Sequence, residues 1–166
     1  AANLSVSEAA LYRHFASKAQ MFEGLIDFIE QSVFSLVQQV MGRDGEVLEF
    51  TPEDGARRAA RIVALVLQFA ERNPGMVRVL VGDALLLEHE RLQVRMNQFF
   101  ERIESTLRQC LRPAAGALGS ATPTVEAQVA ASVLMSFVQG RLLRFVRTGF
   151  RRQPTEHLDA SLAMLI

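Results

Sequence analysis

Residues 21 to 40, MFEGLIDFIEQSVFSLVQQV, decide the fold class. Apolar side chains fall at Met21, Phe22, Leu25, Ile26, Ile29, Val33, Leu36, Val37 and Val40. Steps of one, three and four residues put them on one stripe of an α-helix, not on the alternating face of a strand. Ser17 is the expected N-cap, because its hydroxyl can accept an unpaired backbone N–H of the first turn.

Reading outward, Gly42 to Thr51 is turn-prone and reads as a loop. Pro52 with Glu53 and Asp54 opens a second helix, since proline suits the first helical position and carboxylates suit the positive helix end. Asn73-Pro74-Gly75 ends it. A third helix is predicted over Val77–Glu88, weakened by Gly82, and a fourth over Arg91–Arg112, stopped by Pro113. Ala114 to Thr124 is small and linker-like. Thr124 is expected to cap a helix over Val125–Phe150, and Pro154-Thr155 to open a last one. The helix from Val125 is apolar on most of its faces, so it must be buried either centrally or between subunits. The pattern predicts an all-α fold and more than one subunit.

Composition bounds the function. The chain has 166 residues, 49% of them hydrophobic, with 18 Lys+Arg against 18 Asp+Glu. A domain of this size buries about two-thirds of its unfolded surface, so it needs no disulfide. It is too apolar to be a disordered tail. Zero net charge is not the strongly basic balance of a typical nucleic-acid-binding domain. Of the basic residues only Lys18 is lysine, which a coding bias toward arginine explains without function. The lone Cys110 reads as a buried, inert thiol in a reducing compartment. No uninterrupted apolar run reaches about 18 residues, and no export leader is visible. These features predict a cytoplasmic protein with no membrane span.

Nothing points to catalysis. His14, His89 and His157 lie far apart in sequence. His89-Glu90 begins like a zinc-protease motif, but residue 93 is Gln and no second ligand follows. Glu88 and Glu90 read as a solvated helix end. With no glycine-rich phosphate loop, the chain is expected to be no enzyme and to hold no metal or cofactor.

The segment VSEAALYRHFASKAQMF, Val6–Phe22, is more informative. A short helical run, Glu8–Phe15, is expected to break near Ala16-Ser17 before the long helix, which fits a helix-turn-helix reader. Ser7 and the backbone N–H groups beside it can bind phosphate. Tyr12, Arg13 and His14 offer three polar side chains in succession, and Lys18 can neutralise a phosphate. The same residues also suit a short surface helix in which Leu11, Tyr12 and Phe15 simply pack.

This segment resembles the TetR-type helix-turn-helix superfamily, whose recognition helix carries a Leu-Tyr-x-His-Phe pattern. Three further stretches are similar to the nucleoid occlusion factors within that superfamily: ERNPG at Glu71–Gly75, RLQVRMNQFFERIESTLRQCLR at Arg91–Arg112 and FVRTGF at Phe145–Phe150. The resemblance implies an all-helical homodimer that binds double-stranded DNA and antagonises assembly of the tubulin-like division protein FtsZ over the nucleoid. On this chain the DNA contacts would be Ser7, Glu8, Ala9, Tyr12, Arg13, His14 and Lys18. A complete reader needs a first helix and most of a second, of which only Ala1–Asn3 would remain. Residues 1–20 are therefore the expected remnant of that domain, and 21–166 a helical domain for dimerisation and partner binding.

For the FtsZ surface the resemblance favours Phe28, Leu65, Gln68, Arg72 and Asn73. On residue spacing alone, Leu65 and Phe69 point away from the core face of their helix and Phe34 lies on a polar face, although a helix buried on two sides would place the first two in packing. For the dimer interface the expected residues are Val129, Val133, Phe137 and Gly140. The alternative function is a TetR-type repressor released from DNA by a small-molecule effector, which should enclose a cavity of several hundred Å³.

Overall fold

A single helix, α1 (Glu8–Met41), runs straight through Ala16-Ser17, where the sequence predicts a break. The computed structural model describes residues 8–42, 51–86, 88 and 90–166, and for residues 8–16 the backbone only. Ala16, Lys18, Ala19 and Gln20 are all good helix formers, and a serine inside a helix costs only a few tenths of a kcal/mol. Ser17 therefore does not cap. At its far end α1 stops at Gly42, which has φ 100°. Arg58 Nη1 caps that end by donating to the carbonyls of Val40 and Met41 at 2.6 and 2.9 Å.

Among the described residues five more helices follow: α2 (Pro52–Arg72), α3 (Pro74–Leu80), α4 (Glu90–Ala117), α5 (Pro123–Arg147) and α6 (Leu158–Leu165). α2 begins as predicted, with Thr51 Oγ1 accepting the Asp54 N–H at 3.1 Å. Asn73 then serves two helices: it ends α2, donating its side-chain amide to the Phe69 carbonyl at 2.9 Å, and it immediately precedes the opening proline of α3.

α3 is shorter than the predicted Val77–Glu88. Gly82, at φ 87°, breaks it, and a single 3-10 turn (Asp83–Leu85) follows. A Cβ at Gly82 would lie 2.9 Å from Gln93 Oε1. Gly82→Ala should therefore destabilise the fold by about 1–2 kcal/mol, the cost of a left-handed residue with a side chain. An unchanged urea midpoint would contradict this.

Pro113 does not stop α4, which continues to Ala117. Alanines 114, 115 and 117 favour continuation, and the real stop is Gly119 at φ 80°, where Ser120 N donates to Ala115 O and Gly119 N to Gly116 O. That pair of bonds satisfies the last carbonyls as a Schellman cap does. α5 ends in the same way, with Gly149 N donating to Val146 O and Phe150 N to Phe145 O. The Phe145 and Phe150 rings meet edge-on at 5.1 Å, the apolar contact that accompanies such a cap. At its start, α5 uses Pro123 in the first turn and not a Thr124 cap. Thr124 instead accepts from Arg112 Nε at 2.9 Å. The final helix starts only at Leu158, after His157 in the left-handed region at φ 52°, and Thr155 is instead engaged by Glu71, which accepts its backbone N–H at 2.8 Å and its hydroxyl.

The bundle is organised around α4, which packs between α2 and α5. Cross-links set the directions. Arg95 meets Asp27 and Cys110 meets Met41, so α1 and α4 run parallel. Arg58 caps the end of α1 while Phe69 faces Phe28, so α2 is antiparallel to α1. Arg108–Gln128 and Arg112–Thr124 make α5 antiparallel to α4. The core contains Ile26, Ile29, Ile62, Leu67, Phe99, Leu107, Leu142 and Phe145, and among the described residues no polar or charged residue is buried. Phe34, expected on a polar face, is half-buried, its ring 5.2 Å from Phe99 and covered by the Arg102 guanidinium at 3.9 Å.

Candidate functional site

α1 connects two surfaces. Its first turns carry Glu8, Ala9, Tyr12, Arg13 and His14, for which only the backbone is described, and Ser7 lies outside the described residues. Lys18 is half-exposed, and its Nζ lies 2.8 Å from Glu88 Oε1. Glu88 is thus no solvated helix end: its side chain is 7% exposed and faces the lysine.

Below Lys18 a ladder of charges fixes α1 against α4. Arg91 pairs with Glu23, and Arg95 with both Asp27 and Glu30 at 2.7 and 3.0 Å. The hydrogen bond to Asp27 is the largest cause holding the Arg95 pKa above its ordinary value. Residues 23, 27 and 30 share one helix face, as do 91 and 95.

The other surface is the seam between α1 and the antiparallel α2. A groove of about 320 Å³ is lined by Leu36, Gln39, Val40, Arg61, Ala64, Leu65 and Gln68, with no carboxylate among them. Leu65 and Gln68 are therefore brought together. Phe28 extends the seam along α1, 47% exposed, with its ring 6.3 Å from that of Phe69. Arg72 is exposed and follows Gln68 by one turn, whereas Asn73 is half-buried and its amide is occupied at the end of α2. Phe69 is buried, at 8% exposure, so it packs and does not project. Sequence reasoning missed Leu36 and Gln39, whose role depends on the neighbouring helix, whereas Arg61, Leu65, Gln68 and Arg72 recur at helical spacing on one face of α2.

On α5, Ala127, Ala131, Leu134, Val138 and Leu142 face inward. Val125, Val129, Val133 and Leu143 lie on the opposite face, at 60%, 59%, 46% and 38% exposure. Gly140 is exposed on the same side, with open space where a Cβ would stand. Phe137 sits at the edge, half-buried beneath the Arg141 guanidinium at 4.7 Å. By length and composition α5 could also cross a membrane, a possibility that counting uninterrupted apolar runs overlooks because Gln128, Ser132, Ser136 and Gln139 break them. The core helix of a bundle has the same composition, and the inner face of α5 packs on α4 and α2.

Two further grooves, of about 330 and 240 Å³, lie between α4 and α5, the second also bounded by Leu80 and Val81. Among the described residues no group of His, Cys, Asp or Glu is arranged to hold a metal ion. Cys110 is fully buried beside Met41 Sδ at 3.5 Å, and burial pushes its thiol up to about 11.

Comparison with known proteins decides the family. Residues 53–166 match the SlmA-like family model, described as the C-terminal domain of tetracycline-repressor-like proteins. The nucleoid occlusion factor SlmA of Vibrio atlanticus is 47% identical over 165 residues, which is 99% of this chain and 80% of that protein. This chain belongs to the SlmA family. The SlmA proteins of Vibrio vulnificus and Idiomarina loihiensis are also 47% identical, the latter over 96% of this chain and 77% of its own length. Membership places the chain among TetR-like regulators and gives its function as nucleoid occlusion in cell division. The SlmA-like family model covers α2 to α6, and α1 lies wholly ahead of it.

Proposed function

We propose that the protein, as a homodimer on chromosomal DNA in the cytoplasm, antagonises FtsZ assembly by holding a segment of FtsZ in the α1–α2 groove. One observation carries this reading. The helix whose first turns carry the residues expected to contact DNA also supplies one wall of a groove with an apolar floor and arginine rim. Leu36, Val40 and Leu65 would take apolar side chains, while Arg61 and Arg72 would attract carboxylates. Phe28, Leu65, Gln68 and Arg72 are the contact residues on this reading, and Asn73 positions the end of α2. Ser7, Glu8, Ala9, Tyr12, Arg13, His14 and Lys18 serve the DNA, with phosphate contacts fixing orientation and base-edge contacts fixing sequence. We place the boundary of the DNA-reading remnant at residue 20, inside the continuous helix α1.

The dimer forms through the outer face of α5 with α6, as a four-helix contact across a two-fold axis. Gly140 lets the two α5 helices approach closely, and Val129 and Val133 fill the centre.

The test is sedimentation of FtsZ polymers with the full-length protein, with and without duplex DNA. The wild type should reduce the pelleted fraction when DNA is bound. Leu65→Glu and Arg72→Asp should lose that effect and keep their affinity for DNA. Unchanged FtsZ antagonism in both variants would refute the groove assignment. A small molecule that releases the DNA, with no effect on FtsZ at any stage, would favour the effector-released repressor.

A further inference from the structure

The zero net charge of the chain conceals a strong segregation. Residues 141–157, RLLRFVRTGFRRQPTEH, hold five arginines against one glutamate, a net of +4 in a chain that sums to zero. Their roles differ. Arg141 is structural, donating to the Pro154 and Glu156 carbonyls and, at 3.1 Å, to Ser161 Oγ. Arg144, partly buried, has Nε and Nη2 shielded from solvent without a hydrogen bond, and Glu156 lies 3.6 Å from Nη2. Glu156 is shared further, with Arg152 at 3.2 Å and His157 at 3.7 Å. Glu71, which accepts from Thr155, brings a second carboxylate to this segment, and two carboxylates do not neutralise five arginines. Arg147 and Arg151 are exposed and have no ion-pair partner among the described residues.

The topology fixes where these charges stand. α1 and α4 run parallel and α5 antiparallel to α4, so the end of α5 lies level with the start of α4 and with Lys18 and Glu23 of α1, on the side from which the first turns of α1 extend. Resting on the reading that the start of α1 engages DNA, we propose that Arg147, Arg151 and Arg152 form a second DNA-facing surface that meets the phosphate backbone outside the recognition segment.

Three features favour DNA phosphate as the occupant. Arginine presents a planar fork suited to phosphate oxygens. None of the grooves found among the described residues is lined by these three side chains, an open arrangement that suits a repetitive polyanion. Phe150, the aromatic beside them, is half-buried with Arg78 5.9 Å from its ring centre, so no exposed aromatic is available to insert into lipid. The surface carries no sequence information and acts on affinity through counterion release.

The test measures binding of full-length protein to a random-sequence 40-base-pair duplex by fluorescence anisotropy across a salt series. The variants are Arg147→Gln/Arg151→Gln/Arg152→Gln, the matching triple Arg→Lys, and a control, Arg57→Gln/Arg112→Gln, at the opposite end of the bundle. The glutamine triple should bind at least fivefold more weakly at low salt. Its log–log salt slope should be shallower by about one for each phosphate that the arginines no longer neutralise. The lysine triple should recover most of the affinity, which excludes misfolding as the cause. Equal affinity and slope in the glutamine triple and the control would overturn the proposal. So would a loss confined to phosphatidylglycerol vesicles, with duplex binding unchanged. A wild type that binds no duplex would refute the DNA reading itself, a separate failure.

Discussion

Phe99→Ala is expected to lower the unfolding free energy by about 3–5 kcal/mol, the range for removing a large buried aromatic side chain. Phe99 is 2% exposed at the centre of α4, the helix on which α2 and α5 both pack. Its ring lies 5.2 Å from Phe34 of α1 and 5.2 Å from Phe100, so one substitution strips packing from two helices. The cavity cannot close easily, because the neighbouring Ile103 and Met96 are themselves fully enclosed. At fixed protein concentration the thermal midpoint should fall by roughly 10 °C. Phe99→Leu keeps most of the volume and should cost less than half as much. If alanine shifted the denaturation midpoint by less than the equivalent of about 1 kcal/mol, α4 would not be the packing centre described.

The sequence was most readable where one local rule acts alone. Thr51-Pro52-Glu53-Asp54 specifies the start of α2 through a hydroxyl cap, a preset φ and two carboxylates, and α2 begins there. The stripe from Met21 to Val40 likewise predicts most of the buried face of α1, where Phe22, Ile26, Ile29, Val33, Val37 and Val40 are buried, whereas Met21 and Leu36 are exposed. Expectations failed where a local signal competes with its surroundings. Ser17 can cap a helix, but strong helix formers on both sides carry α1 through it. Pro113 removes one helical hydrogen bond, yet the alanines after it and the glycine cap at Gly119 set the end of α4. Phe34 and Glu88 were misplaced because their partners, Phe99 and Lys18, lie far away in sequence, whereas Phe69 packs as a helix buried on two sides requires. Half of the α1–α2 groove was equally hidden. Leu65 and Gln68 are visible on α2 alone, whereas Leu36 and Gln39 acquire a role only when α1 lies antiparallel beside it.

Val129→Glu with Val133→Glu should convert the proposed homodimer into monomers, with at least a hundredfold rise in dissociation constant. A hundredfold corresponds to about 2.7 kcal/mol, and an unpaired carboxylate forced into an apolar interface costs several kcal/mol. Each substitution also occurs twice across a two-fold axis, so four carboxylates would crowd one interface. Both valines are more than 40% exposed on the isolated chain, so the change should leave the folded protomer nearly intact. That separates it from Phe137→Glu, which would also disturb the half-buried ring beneath Arg141 and so mix folding with assembly. Sedimentation-equilibrium mass, together with unchanged helical circular dichroism, distinguishes the two effects. Soluble dimers of the double variant would place the subunit interface elsewhere and leave the outer face of α5 unexplained. Monomers that remain folded would identify this valine face as the surface that makes an apolar helix tolerable in water, and DNA affinity should fall with the dimer, because two reading heads would no longer bind as one unit.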